Sequence, residues 1–241
     1  MDVDEGPWDS DRGSSDASVT AVAALADPSR RRMYDFIRRA RRPIRREEAA
    51  ASIGISRKLA AFHLDKLVDV GLLRAHFTPA PGARRVGRTP KVYEPAEVDI
   101  RITVPERDPG LLANILVDAV QADDGGRSPR EAAEDIAHER GIRLGAAERD
   151  RTRPGRLGPD RALTMASALL ADCGFEPHRE TTARVALRNC PFAPQARRAP
   201  DLVCGLNHAF VAGILDGLQA TGVAAALQPL QGRCCVVLSG A

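Results

Sequence analysis

Five residues able to bind a soft metal or carry thiol redox chemistry, Cys173, Cys190, Cys204, Cys234 and Cys235, all lie in the last 69 residues of a 241-residue chain. Random placement would put all five there with a chance of roughly 0.002, so clustering rather than number is the signal. The acidic start of the chain, Met1 to Glu5, lacks the basic and apolar regions of a signal peptide. No apolar run reaches the ~18 residues of a membrane span. A cytoplasmic setting follows as the expectation, and there reduced thiols favour metal binding or redox chemistry over structural disulfides. The competing reading is that the cysteines are small buried hydrophobes. If Cys234 and Cys235 stand in a strand, they point to opposite faces, so only one of them is expected to reach a shared group.

The second constellation is cationic. The net charge of +3 conceals an asymmetry: residues 1–17 carry six acids against Arg12, residues 18–96 carry 17 Lys and Arg against seven acids, and residues 97–241 carry 17 against 19. Only the middle segment is basic. Its arginines crowd together from Arg30 to Arg46 with Asp35 the single acid between Arg30 and Arg46, a run that repels itself unless a polyanion is near. Nucleic acid is the favoured partner, against the alternative of a solvated face in an arginine-rich chain.

These residues need elements to position them. Residues 1–17, rich in Asp, Ser and Gly, read as a disordered acidic tail. Helical patterning begins at Ser18; Asp27 caps and Pro28 opens a helix with Met33, Phe36 and Ile37 on one face, which Pro43 ends. A helix from Arg46 stops at Gly54, and Ser56 caps another that runs to Val70 with Gly71 as terminator. Two helices joined by a three-residue turn make a helix-turn-helix. Its second helix has Leu59, Ala60, Leu64, Leu67 and Val70 as its apolar stripe and Arg57, Lys58, Ala61, Phe62 and Asp65 on the other side. Strands over residues 72–78 and 91–94 flank a Pro/Gly/Arg loop holding Arg84, Arg85 and Arg88, which reads as a basic wing. Residues 97–110 look like a linker with a possible strand at 100–104. Beyond it, residues 111–121, 128–140, 161–173 and 200–218 read as helices, and 175–180, 183–187, 225–230 and 234–238 as strands. The expected fold class is α+β: a winged helix-turn-helix over 18–96 and an α+β sensor and dimerisation domain over 111–241.

The run from Glu48 to Leu73, with the turn Gly54-Ile55-Ser56, the pair His63-Leu64, the close Gly71-Leu72-Leu73 and the wing end Gly87-Arg88-Thr89-Pro90-Lys91-Val92-Tyr93, resembles the ArsR-like winged-helix regulators. The resemblance implies that the outer face of the second helix enters a major groove. Ser56, Arg57, Lys58, Ala61 and Phe62 are the candidate DNA contacts there; Arg57 or Lys58 could pair with guanine or bind phosphate, and Phe62 could touch a thymine methyl or belong to the core. Arg84, Arg85 and Arg88 suit a minor groove or its phosphates, where they position rather than specify. His63 reads as a packing residue. Metal-sensing relatives often carry thiolates on the DNA-binding domain, but residues 1–172 contain none.

The stretch Asn189-Cys190-Pro191-Phe192, then Val203-Cys204-Gly205-Leu206, then Gly232-Arg233-Cys234-Cys235-Val236, is similar to the sensor domain of SufR-like iron–sulfur repressors. In that family three cysteines hold a [4Fe–4S] cluster, and the resemblance places Cys190, Cys204 and Cys234 in those roles. One ligand on a turn, one near a helix start and one at a strand start can converge as no single short CxxC loop can, and thiolates are the soft ligands such a cluster needs. Three thiolates leave one iron open. His208, four residues after Cys204 on the same helical face, could fill it or could be a packing residue. Cys173, which ends a helix, reads as core.

The expectation is therefore a cytoplasmic, homodimeric regulator, in the repressor mould, that binds double-stranded operator DNA and senses cluster or redox state at its C-terminal cysteines. The rival readings are a winged helix joined to an apolar-ligand sensor, a structural zinc site in place of the cluster, or no cofactor. Neither a nucleophile–base pair nor a phosphate loop nor paired carboxylates point to an enzyme.

Overall fold

The computed structural model describes residues 15–77, 90–122, 126–229 and 232–240. The chain divides into two compact units, Met1–Ile102 and Thr103–Ala241, the division falling inside the stretch 97–110. Both units combine helices with an antiparallel sheet, an α+β architecture. Among the described residues no helix is long and apolar enough to cross a membrane.

The first unit runs α1 (Ser15–Ala24), α2 (Pro28–Ala40), β1 (Ile44–Arg45), α3 (Arg46–Ile53), α4 (Arg57–Asp69), β2 (Leu73–Phe77) and β3 (Lys91–Pro95). The first helix opens at Ser15 rather than Ser18; residues 1–14 lie outside the described residues. At the head of α2 the Asp27 carboxylate accepts the backbone N–H groups of Ser29 and Arg30, each at 2.9 Å, and Pro28 fills a position whose missing N–H costs nothing. The helix stops at Arg41, whose φ of 49° is left-handed. One element was not legible in sequence: β1 pairs Ile44 with Tyr93 and Arg45 with Val92, giving the order β1-β3-β2. Two residues are too few to show alternation, and only the partner makes them a strand. Met33, Ile37, Ile44, Leu64, Leu67 and Tyr93 close the core without access to solvent.

The second unit runs α5 (Pro109–Gln121), α6 (Pro129–Thr152), α7 (Pro159–Asp172), β4 (Pro177–Thr181), β5 (Arg184–Leu187), α8 (Gln195–Arg198), α9 (Pro200–Gly217), β6 (Val223–Leu227) and β7 (Val236–Gly240). Its sheet has the order β4-β5-β7-β6 with every pairing antiparallel. Three expectations are corrected here. Residues 100–104 form no strand, because their alternating Ile100, Ile102 and Val104 find no neighbouring strand to pair with, and Val104 is 93% exposed. β7 begins at Val236, so Cys234 and Cys235 precede the strand. And α6 does not end at Arg140 but continues to Thr152, straight through Gly141 and Gly145.

Glycine inside a helix costs roughly 1 kcal/mol against alanine, and packing explains why it is tolerated. A Cβ at Gly141 would overlap the Phe210 carbonyl, at Gly145 that of Ile214, at Gly213 that of His138 and at Gly217 that of Ile142. The backbones of α6 and α9 are therefore in direct contact. That contact fixes α9, the helix that carries Cys204.

Candidate functional site

In the first unit, α3 and α4 are joined by Gly54, Ile55 and Ser56. Gly54 adopts a left-handed φ of 73°, with its N–H returned to Ala50 and Ala51, and the Ser56 hydroxyl accepts the Leu59 N–H at 3.2 Å. α4 buries Ala60, His63, Leu64 and Leu67. The stripe loses Leu59, which is 44% exposed, and gains His63, which takes the inward position between Ala60 and Leu67. The His63 Nδ1 is buried without a hydrogen-bond partner, and its ring lies edge-on to Phe62 at 5.5 Å.

The opposite face carries the expected contacts. Ser56, Arg57, Lys58 and Asp65 are exposed, Ala61 is half-buried, and Phe62 is 60% exposed, too open to be core. Neither Arg57 nor Lys58 forms an ion pair with a described residue. Asp65, beside the candidate contacts on that face, is bound by Lys91 Nζ of β3 at 3.0 Å, and this bond raises the lysine pKa. A charge that would repel phosphate is thereby neutralised from the sheet. Arg84, Arg85 and Arg88 fall within residues 78–89, outside the described residues.

In the second unit the sulfurs gather from three separate segments. Cys190 follows β5, Cys204 lies near the start of α9, and Cys234 and Cys235 precede β7. Backbone bonds lock the last pair in place: Cys234 N–H donates to Leu187 of β5 at 2.9 Å, and the Cys235 carbonyl accepts from Gln228 beyond β6 at 2.6 Å. The four thiols lie close enough to act on one another electrostatically: Cys190 with Cys234, Cys234 with Cys235, and Cys204 with Cys235, Cys190 and Cys234. The result is a group of four neighbouring thiols drawn from three segments. The alternation argument that admitted only one of the adjacent pair does not hold, because neither residue is in the strand.

Each resolved titration moves toward the neutral thiol. Cys190 is pushed up by its hydrogen bond with Cys234 and by burial. The Cys234 bond with Cys190 lowers it, but the bond with Cys235 and burial outweigh this and carry it to about 11. Burial raises Cys204, against a lowering bond from Cys235. Such thiols are poor nucleophiles, and a soft cation that displaces their protons is the natural means of ionising them.

Two asparagines complete the surroundings. Asn207, fully buried and one turn after Cys204, donates its Nδ2 hydrogens to Cys234 Sγ at 3.0 Å and reaches Cys235 Sγ at 3.9 Å, while its Oδ1 has no hydrogen-bond partner. Asn189, beside Cys190, donates to the carbonyls of Glu106 at 2.8 Å and Gly174 at 2.6 Å and accepts from Arg107, whose guanidinium also bonds the Cys190 carbonyl at 3.3 Å. Asp108 N–H donates to Pro191 at 3.0 Å. The turn of Cys190 is thus bound to the first residues that follow Ile102. Cys173 is packed in the core with α7. His208 has its Nε2 3.2 Å from the Ala225 carbonyl, so that nitrogen is committed to β6.

The donor set of clustered thiols beside an unpartnered buried amide oxygen fits an iron–sulfur group. Among the described residues no three His, Cys, Asp or Glu side chains are set around a point that could hold a single metal ion. A zinc site needs that convergence, with sulfurs at about 2.3 Å from one centre. Asn207, Arg107 and Asn189 were not foreseen as functional residues. Asn207 alone left a sequence signal, a polar residue three positions after a cysteine on an otherwise apolar helix face.

A family model described as a helix-turn-helix domain matches residues 25–76, from the end of α1 into β2. No curated protein matches the chain. The chain thus carries a helix-turn-helix domain in its first unit, which supports a DNA-binding transcriptional regulator. The antiparallel β2 and β3 that follow α4 make its DNA-binding unit the winged kind.

Proposed function

We propose that the protein is a homodimeric repressor whose operator affinity is set by a [4Fe–4S] cluster, or by redox state, at Cys190, Cys204 and Cys234. The observation that carries this reading is the gathering of cysteines from three distant segments into one group of mutually interacting thiols, two of them reached by the Asn207 amide, in a unit that follows a helix-turn-helix unit along the chain. A cluster bound there supplies one-electron chemistry and sensitivity to oxidants. The chain's own part is to hold it between a turn, a helix and a strand start, and to pass its state on. The turn of Cys190 grips Glu106, Arg107 and Asp108 just beyond the DNA-binding unit. A change in that turn therefore bears on where the chain enters the second unit, and in a dimer on half-site spacing.

Anaerobic protein supplied with iron and sulfide should turn brown. Cys190→Ser, Cys204→Ser and Cys234→Ser should each remove most of the iron, and Cys173→Ser should not. On an operator selected from random duplexes, loaded and cluster-free protein should differ in affinity by roughly 5–150-fold, with the loaded form binding. Equal affinities would reduce the cluster to a structural staple.

A further inference from the structure

We infer that Cys235 is a fourth thiolate of the site, and that Asn207 is the positioning residue that holds both adjacent sulfurs toward it. The inference rests on the iron–sulfur reading above and changes its ligand set from three cysteines with one open iron to four.

The argument begins with the backbone. Adjacent residues in a strand face opposite ways, but Cys234 and Cys235 lie in the irregular residues ahead of β7. Their sulfurs lie 3.0 and 3.9 Å from one amide nitrogen, that of Asn207, and so share a side of the chain. Cys235 also acts on both Cys234 and Cys204, the two thiols already assigned to the site on either side of it. His208, the other candidate for the open position, has Nε2 on the Ala225 carbonyl. Asn207 is fully buried, and a buried amide left half unpaired is destabilising. A role toward sulfur accounts for its presence: four thiolates around a cluster make a buried anionic group, and N–H donors to sulfur both stabilise it and raise its reduction potential.

The test uses full-length protein loaded anaerobically with iron and sulfide, followed by iron and sulfide analysis and by electron paramagnetic resonance after mild ferricyanide oxidation. An iron without a thiolate is the one lost on oxidation. Wild type should therefore give little [3Fe–4S] signal, whereas Cys235→Ser and Cys235→Ala should approach about one such spin per cluster, a rise on the order of tenfold. In Asn207→Leu the cluster that does load should have a more negative reduction potential, and an unchanged potential overturns the role given to Asn207. Cys235 variants that match wild type in iron content and signal overturn the inference and leave the three-cysteine reading standing. If the variants do not fold, wild type alone decides, since a full [3Fe–4S] signal from it means an open iron and overturns the fourth thiolate. Wild type that takes up no iron or sulfide overturns this inference together with the reading beneath it.

Discussion

The two units place their functional groups in opposite physical settings. On α4 the candidate DNA contacts face water, Arg57 and Lys58 charged and in no ion pair with a described residue, beside an Asp65 bound by Lys91. In the second unit the functional groups are buried or half-buried and drawn together from three segments, with the Cys190, Cys204 and Cys234 thiols shifted toward the neutral form. The exposed site works through summed charge, which tolerates small displacements and yields to salt. The thiol site works through position, which resists salt but fails when a supporting helix moves. Each property can be tested against the other unit.

The largest contrast should be in ionic strength. If the DNA-binding unit, in a dimer, meets 6–10 phosphates, operator affinity falls by roughly 10³–10⁵ between 50 and 200 mM salt. Iron content over the same range should not change. Salt-indifferent binding would remove the argument from the arginine-rich segment. Within that surface, Arg57→Ala should relax discrimination among operator variants, whereas Arg85→Ala should weaken all sequences alike.

Packing should show the reverse. Gly141→Val places side-chain atoms into the Phe210 carbonyl and should destabilise the second unit by about 3 kcal/mol. The chain offers separate reporters, since all five cysteines lie in the second unit and both tyrosines, Tyr34 and Tyr93, in the first. In a denaturant series, thiol reactivity should rise at lower denaturant in the variant while the tyrosine transition keeps its midpoint. Coincident shifts of both would show that the units unfold as one.

A smaller effect concerns the link between sites. Arg107→Ala removes the guanidinium shared by Asn189 and the Cys190 carbonyl. It should leave iron content unchanged and shrink the ratio of loaded to cluster-free operator affinity several-fold, within the roughly 5–150-fold range of such couplings. An unchanged ratio would send the signal by another route.

The smallest is confined to the first unit. Asp27→Ala should cost about 1 kcal/mol through loss of the cap. The Arg30 N–H, foremost, holds the Asp27 carboxyl below the usual carboxylate range. Its contribution is therefore complete above the unfolded value near pH ~4 and is lost as pH falls through the lower folded value. The tyrosine transition of wild type should weaken over that acid window, and that of the variant should weaken less.

Local chemistry was enough to read most of the first unit from sequence. Asp27-Pro28, Gly54 and Ser56 each act on their own few residues, so the starts of α2 and α4 and the turn between α3 and α4 follow from the chain itself. The outward position of Arg57, Lys58 and Phe62 follows from helical period, although the inward stripe was misplaced at Leu59, because a half-buried flank depends on what covers it. The second unit was legible in its elements but less so in its site. The run of five cysteines marks where chemistry is concentrated, yet nothing local to Cys235 says that it leaves strand alternation, and nothing local to Gly141 says that a helix passes through it. Those outcomes depend on partners far away in the chain: Leu187 and Gln228 hold the backbone of the cysteine pair, Phe210 and Ile214 lie against the glycines, and Asn207 turns two neighbouring sulfurs to one side. Sequence specifies what a residue does to its neighbours along the chain, whereas contacts between distant segments form only on folding, and it was those contacts that decided the thiol site.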